Sequence, residues 1–260
     1  MGFIPSCDHR EDAIISLSQI YAVPVGEIER VLNASEVREI AEVYSEIDSP
    51  GFHFVVCHLL KASPCTDITH AYYYHSTSYD GSPSWFEEGL LGSSQGVERF
   101  LDKITEWLPP DKQLLAKQSA MRIVQLRSEY EGSKAEMCGP YAWNTFTAAS
   151  SSPSGIRYRV PEAIQDLWSP SFCGNGGLVD LKGIIEERLK PVVVKFKGKT
   201  SNIDDYCATL WAYLLSDEGE CHLRHTFRGN GLAIPREDIA ALMDVTHDCL
   251  SEASTTPVEV

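Results

Sequence analysis

The chain has 260 residues, with 37 Asp+Glu against 22 Lys+Arg and a formal net charge of −15. Its 43% hydrophobic and 23% charged residues are those of an ordinary globular protein, long enough to bury a core without disulfides or metals. The acidity argues against nucleic-acid binding through a broad basic surface, because neutralising phosphates needs Lys and Arg.

No apolar run is long enough for a transmembrane helix, and Met1 to Glu11 lacks the basic and apolar regions of a secretory signal. A soluble, cytoplasmic protein is the expectation. Met1-Gly2-Phe3-Ile4-Pro5-Ser6-Cys7 also fits a simple N-terminal acylation pattern, with Cys7 placed for a second chain. That makes a membrane anchor through Gly2 and Cys7 the alternative, disfavoured by the bulky Phe3 beside the glycine. The eight cysteines are irregularly spaced with no CxxC, which reads as buried free thiols.

In chain order, residues 11–47 read as helical, interrupted by Pro24, with Ser35 capping a further helix and Ser49-Pro50-Gly51 closing the block. Phe52 to Cys57 is a buried strand or a short core helix. Ala71-Tyr72-Tyr73-Tyr74-His75 is strand-like, Asp80 to Pro83 a turn, and Ser84 to Glu88 a short helix closed by Gly89. Val97 to Trp107 is helical as far as Pro109-Pro110, and Met121 to Leu126 alternates like a strand. Ser150 to Gly155 is a loop, Ile156 to Val160 an edge strand, and Gly174 to Gly177 a second loop. A helix over Val179–Leu189, a strong strand at Pro191–Phe196 and a helix over Ile203–Leu215 follow. His225-Thr226-Phe227 reads as a strand, Gly229-Asn230-Gly231 as a tight turn with positive φ, and Glu237 to Val245 as a final helix. These elements predict an α+β protein: a helical N-terminal segment (1–50), an α+β body (51–248) and a C-terminal tail (249–260).

The densest chemical signal is Tyr73-Tyr74-His75-Ser76-Thr77-Ser78, then a turn, then Trp85-Phe86-Glu87-Glu88-Gly89-Leu90. It resembles the opening of the catalytic domain in NAD-dependent ADP-ribosyltransferases of the His-Tyr-Glu type, whose first core strand reads Tyr-His-Gly-Thr-Ser. Ser76 stands here where that family has Gly. The resemblance implies a split β-sheet core and NAD as co-substrate. His75, Ser76, Thr77 and Tyr74 would lie at the NAD site, with His75 on a ribose hydroxyl. A tyrosine stacking on nicotinamide would be Tyr141, or else Tyr130. A carboxylate supporting the oxocarbenium-like transition state would be Glu162, or else Glu218 or Glu220. ADP-ribose would pass to an acceptor, a protein among the options. A second branch of the superfamily, with Ser-Thr-Ser and Glu-x-Glu, matches Ser76-Thr77-Ser78 and Glu218-Gly219-Glu220 less closely.

Three other readings stand beside it. One is a non-catalytic interaction protein of the same fold. The second rests on Cys138-Gly139-Pro140-Tyr141-Ala142-Trp143, which resembles the nucleophile segment of papain-like peptidases, where a helix N-terminus activates the thiol. His222 or His225 would then be the base, with Asp244 or Asn230 orienting it. The third is a metal site among His53, Cys57, His58 or Cys221, His222, His225, although neither group has a recognised zinc spacing.

Overall fold

The computed structural model describes residues 2–42, 50–130, 134–150, 160–168, 179–216 and 227–245. The expectations at 151–159, at the Gly174–Gly177 loop, at Glu218, Glu220, His222 and His225, and in the 249–260 tail lie outside these residues.

Helix α1 (Arg10–Tyr21) starts at His9, whose backbone N–H donates to Asp12 Oδ2 at 3.0 Å, and stops at Ala22 in the left-handed conformation. Pro24 then starts α2 (Val25–Leu32), and α3 (Ser35–Glu42) follows. The ambiguous Phe52–Cys57 run is helical, inside α4 (Pro50–Leu60). Helices this short are not stable alone in water, so each must bury its apolar stripe elsewhere. Leu17, Ile20, Ile28, Val31, Phe52 and Val56 enter the same hydrophobic cluster as Tyr73, Val194, Phe196 and Trp211. Helices α1 to α3 therefore share the core of the body, and the expected boundary at residue 50 falls on the first residue of α4.

Strand β1 (His70–Tyr79) pairs antiparallel with β3 (Lys190–Lys199), Tyr73 opposite Phe196 and His75 opposite Val194. Between them run α5 (Ser93–Ile104), α6 (Pro110–Tyr130), β2 (Tyr141–Ala142), α7 (Phe146–Ser150), α8 (Glu162–Gln165) and α9 (Lys182–Arg188). After β3 come α10 (Ile203–Leu215), β4 (Phe227–Arg228) and β5 (Ile239–Asp244). One sheet has the order β1-β3-β5, and β2 pairs with β4 in a second, small sheet. A single bridge, Tyr74 to Trp143, links β1 to the end of β2. β3 is covered on both faces: Val192, Val194 and Phe196 enter the main cluster, and Val193 packs behind the sheet with Tyr74 and Trp143. That explains its near-continuous apolar run.

Two expectations are corrected. Met121–Leu126 is not a strand but part of the 21-residue α6. Its buried positions, Ala116, Ala120, Ile123 and Val124, are spaced for one helix face, and the alternation over six residues is incidental to it. The final helix expected over Glu237–Val245 is instead a single 3-10 turn, Arg236–Asp238, followed by β5. The run Ile239-Ala240-Ala241-Leu242-Met243 suits either state. The outer edge of β3 decides it, because its peptide groups need partners and β5 supplies them from Val192–Asp244 to Phe196–Ile239.

The Gly229-Asn230-Gly231 turn forms as expected, with Asn230 at φ 52° and Gly231 at φ 81°. Gly229 N–H donates to Pro140 O at 2.9 Å and Gly231 N–H to Gly139 O at 2.7 Å, so the turn clamps the segment that leads into β2. The short helix expected over Ser84–Glu88 is a 3-10 turn, Pro83–Phe86, capped at Glu87; Gly89 follows at φ 78°, its N–H on Phe86 O at 3.0 Å, beside a bridge between Leu90 and Ile234.

Candidate functional site

A cleft lies where the hydrophobic clusters meet. Phe86 and Leu90 belong to the cluster of the large sheet, and Val97, Phe100, Val124, Val160 and Ala163 to the one built by α5, α6, α8 and α9. Trp143, from the cluster behind the sheet, completes the apolar lining. The cavity volume is about 230 Å³. That is smaller than the roughly 300–1,000 Å³ typical of drug-sized ligands, so it suits one end of an extended molecule.

His75, Ser76, Thr77, Tyr141 and Glu162 all line this cleft, brought there from three separate stretches of chain. His75 Nδ1 lies 2.7 Å from the carbonyl oxygen of Tyr141. A carbonyl only accepts, so Nδ1 carries the proton and Nε2 is left as the acceptor of the neutral ring. Burial lowers the His75 pKa from its ordinary value, and the bond to Tyr141 only partly opposes this. The ring is therefore neutral at pH 7. The unfolded chain binds the extra proton more readily, so the stability held by neutral His75 is complete above about pH 6.5 and is lost as pH falls below it. Relative to His75→Gln, the wild type is expected to lose up to about 1.4 kcal/mol per pH unit below that point, measured by urea unfolding between pH 5 and 7.5.

Tyr74, expected beside His75 at the NAD site, does not line the cleft. Successive strand residues point to opposite faces, so Tyr74 turns away from His75 into the cluster behind the sheet. Its hydroxyl donates to Asp8 Oδ1 at 2.5 Å and accepts from the Cys7 N–H at 2.8 Å, while Lys195 Nζ reaches Asp8 Oδ2 at 2.6 Å. Burial foremost drives the Tyr74 pKa far up, so it is a fixed neutral strut. The same contacts hold Cys7, 1% exposed, and its carbonyl accepts from Phe146 N–H at 3.0 Å. The thiol that the anchor alternative would acylate is therefore buried in this fold.

Glu162 is the first residue of α8, directly after Pro161. Its carboxylate is 2.7 Å from Arg127 Nη1, and Arg127 Nε is 2.7 Å from Asp166 Oδ2. The two arms differ in burial: the Asp166 side chain is 2% exposed and that of Glu162 41%. Arg127 itself lines the cleft.

No family model, curated protein or solved structure matches the chain.

The remaining sequence candidates separate by geometry. Tyr130 ends α6 as an exposed side chain outside the cleft lining. Cys138 does line the cleft, but it follows a 3-10 turn (Ala135–Met137) and leads into β2, so no α-helix begins there to activate its thiol. The papain-like reading loses its physical basis with that helix. Among the described residues, no group of three or more His, Cys, Asp or Glu side chains is placed to hold a metal. Cys57 Sγ and His53 Nε2 are 3.4 Å apart on α4, a pair without a third member there. Among the described cysteines, Cys7, Cys138 and Cys207 are buried as expected, while Cys57 is half-buried and Cys65 exposed. No helix among the described residues is long and apolar enough to cross a membrane.

Sequence reading missed the cationic part of the lining: Arg99 and Lys103 on α5 and Arg127 on α6. Arg99 pairs with Glu88 at 3.1 Å and with Asp102 at 3.7 Å. Lys103 Nζ donates to the carbonyl of Trp85 and sits 5.0 Å over its ring; burial chiefly lowers its pKa. Treating 121–126 as a strand hid Arg127. The helical spacing of Ala116, Ala120, Ile123 and Val124 was the signal that extends to it.

Proposed function

We propose that the cleft receives the nicotinamide–ribose end of NAD and that the protein is an ADP-ribosyltransferase, acting on an acceptor that is not identified and that a protein side chain would suit. The observation that carries this reading is the convergence of His75, Ser76, Thr77, Tyr141 and Glu162 on one mostly apolar cleft. Neutral His75 would accept a ribose hydroxyl at Nε2. Tyr141 would stack on the nicotinamide ring, and the backbone at Ser76 and the Thr77 hydroxyl would hold its carboxamide. Glu162 would support positive charge on the ribose as the nicotinamide–ribose bond breaks, its electron pair leaving with nicotinamide. The acceptor's nucleophile then bonds to that ribose carbon and gives up its proton. The fit to a dinucleotide draws support from the lining charges: three cations, Arg99, Lys103 and Arg127, against two carboxylates, Glu88 and Glu162, in a chain of net charge −15.

One observation favours a second reading. Glu162 is engaged by Arg127, as a carboxylate would be in a protein of this shape that binds without turnover. Incubation with NAD labelled in the adenylate half, alone and with cell lysate, separates the two. The transferase is expected to release nicotinamide and transfer label, with a loss of about 100-fold or more in His75→Ala. Release that survives His75→Ala overturns the site. Binding of NAD without release at any acceptor supports the interaction protein.

A further inference from the structure

The three-residue network at the rim of the cleft is built asymmetrically. Arg127 projects from α6 and meets two carboxylates four residues apart, Glu162 at the first residue of α8 and Asp166 at its C-cap. Asp166 is buried and takes Nε, which fixes the plane of the guanidinium. Glu162 takes Nη1 from a position open to solvent. A buried charge pair is hard to open because it leaves an uncompensated charge in a dry environment. A half-exposed pair is weak and exchanges readily with another anion. The planar guanidinium matches a phosphate as well as it matches a carboxylate. Lys103, partly withdrawn from water, and Arg99 line the same cleft, so an incoming anion meets more than one cation.

We propose that Arg127 is the receptor for a phosphate or pyrophosphate group of the cleft's ligand, and that Glu162 occupies this receptor until the anion displaces it. Asp166 keeps the guanidinium aimed throughout. Displacement frees the Glu162 carboxylate to turn to the ribose, so the same event that seats the phosphate arms the site. This last step rests on the reading of the cleft as an NAD site; the phosphate receptor itself does not.

The test is titration of the whole chain with inorganic pyrophosphate, followed by calorimetry. Glu162→Gln removes the competing charge and leaves the buried Arg127–Asp166 pair intact, so the fold is retained. Its affinity for pyrophosphate is expected to rise about two- to fivefold over wild type, the weight of an exposed ion pair. Arg127→Lys in the Glu162→Gln background keeps one charge but loses the fork, and is expected to cancel that gain. Unchanged or weaker binding in Glu162→Gln, gain that persists in the double variant, or no binding to any of these proteins at millimolar pyrophosphate overturns the proposal. Nicotinamide release from NAD is measured on the wild type, because Glu162→Gln removes the carboxylate that the transferase needs. Tighter pyrophosphate binding by Glu162→Gln with no release by the wild type upholds the receptor and sinks the transferase; release by the wild type with no gain in pyrophosphate binding by Glu162→Gln does the reverse.

Discussion

Arg127→Met is expected to lower the unfolding free energy by about 3 kcal/mol, near the low end of the roughly 3–5 kcal/mol seen when one member of a buried ion pair is removed. The low end applies because the Arg127 side chain keeps 20% of its surface in water. The loss comes almost wholly from Asp166, which is 2% exposed and is left without its cation. Glu162→Gln, by contrast, removes a pair whose carboxylate is 41% exposed, and is expected to change stability by no more than about 1 kcal/mol. Urea unfolding of the two variants makes the comparison. A double change, Arg127→Met with Asp166→Leu, should recover most of the loss, since replacing a whole buried pair by apolar groups is often neutral. Arg127→Met breaks both arms and Glu162→Gln only one, so equal losses in the two variants would mean that the buried Asp166 arm carries no weight, and would overturn the prediction.

Gly231→Ala is the second large effect. An added Cβ would lie 1.7 Å from the carbonyl oxygen of Glu136 and 2.7 Å from its carbon, so backbone must move. The residue also sits at φ 81°, which an L side chain rarely adopts. Overpacking of about 1–3 kcal/mol and about 1–2 kcal/mol of backbone strain together predict a loss of about 3 kcal/mol or more. Because this turn clamps Gly139 and Pro140, the damage reaches Tyr141 and, through its carbonyl, His75. Thermal unfolding is expected to fall by roughly 6–12 °C. Gly183→Ala is the matched control: nothing lies within 4 Å of its Cβ and it sits inside α9, so it should gain about 0.5–1 kcal/mol. A mild effect of Gly231→Ala, comparable with that control, would show that the turn is not a clamp.

Local chemistry made several elements legible before any tertiary contact was known. Pro24 divides α1 from α2 because it has no N–H to continue a helix. Gly229-Asn230-Gly231 had to turn, and Pro191–Phe196 had to be a buried strand. The aromatic strand carrying His75 and its Ser-Thr neighbour was visible for the same reason: β-branched and aromatic residues pack on a pleated surface.

The face that each residue presents was not legible in the same way. Tyr74 and His75 are adjacent in sequence and part by strand parity, one to the cluster behind the sheet and one to the cleft. Arg127 stayed hidden while its segment was taken for a strand. The apolar run Ile239–Met243 suits helix and strand alike until the edge of β3 offers it partners.

By itself, then, the sequence determined the mixed helix-and-strand composition of this protein, its turns and caps, and the strand on which the histidine stands, because those follow from forces acting over a few residues. The tertiary structure alone decided that the N-terminal helices share the main core, that β5 completes the sheet, and that His75, Tyr141, Arg127 and Glu162 meet at one cleft. Each of these depends on burying apolar faces and pairing peptide groups across long stretches of chain, and no local pattern encodes which distant surface will be there to receive them.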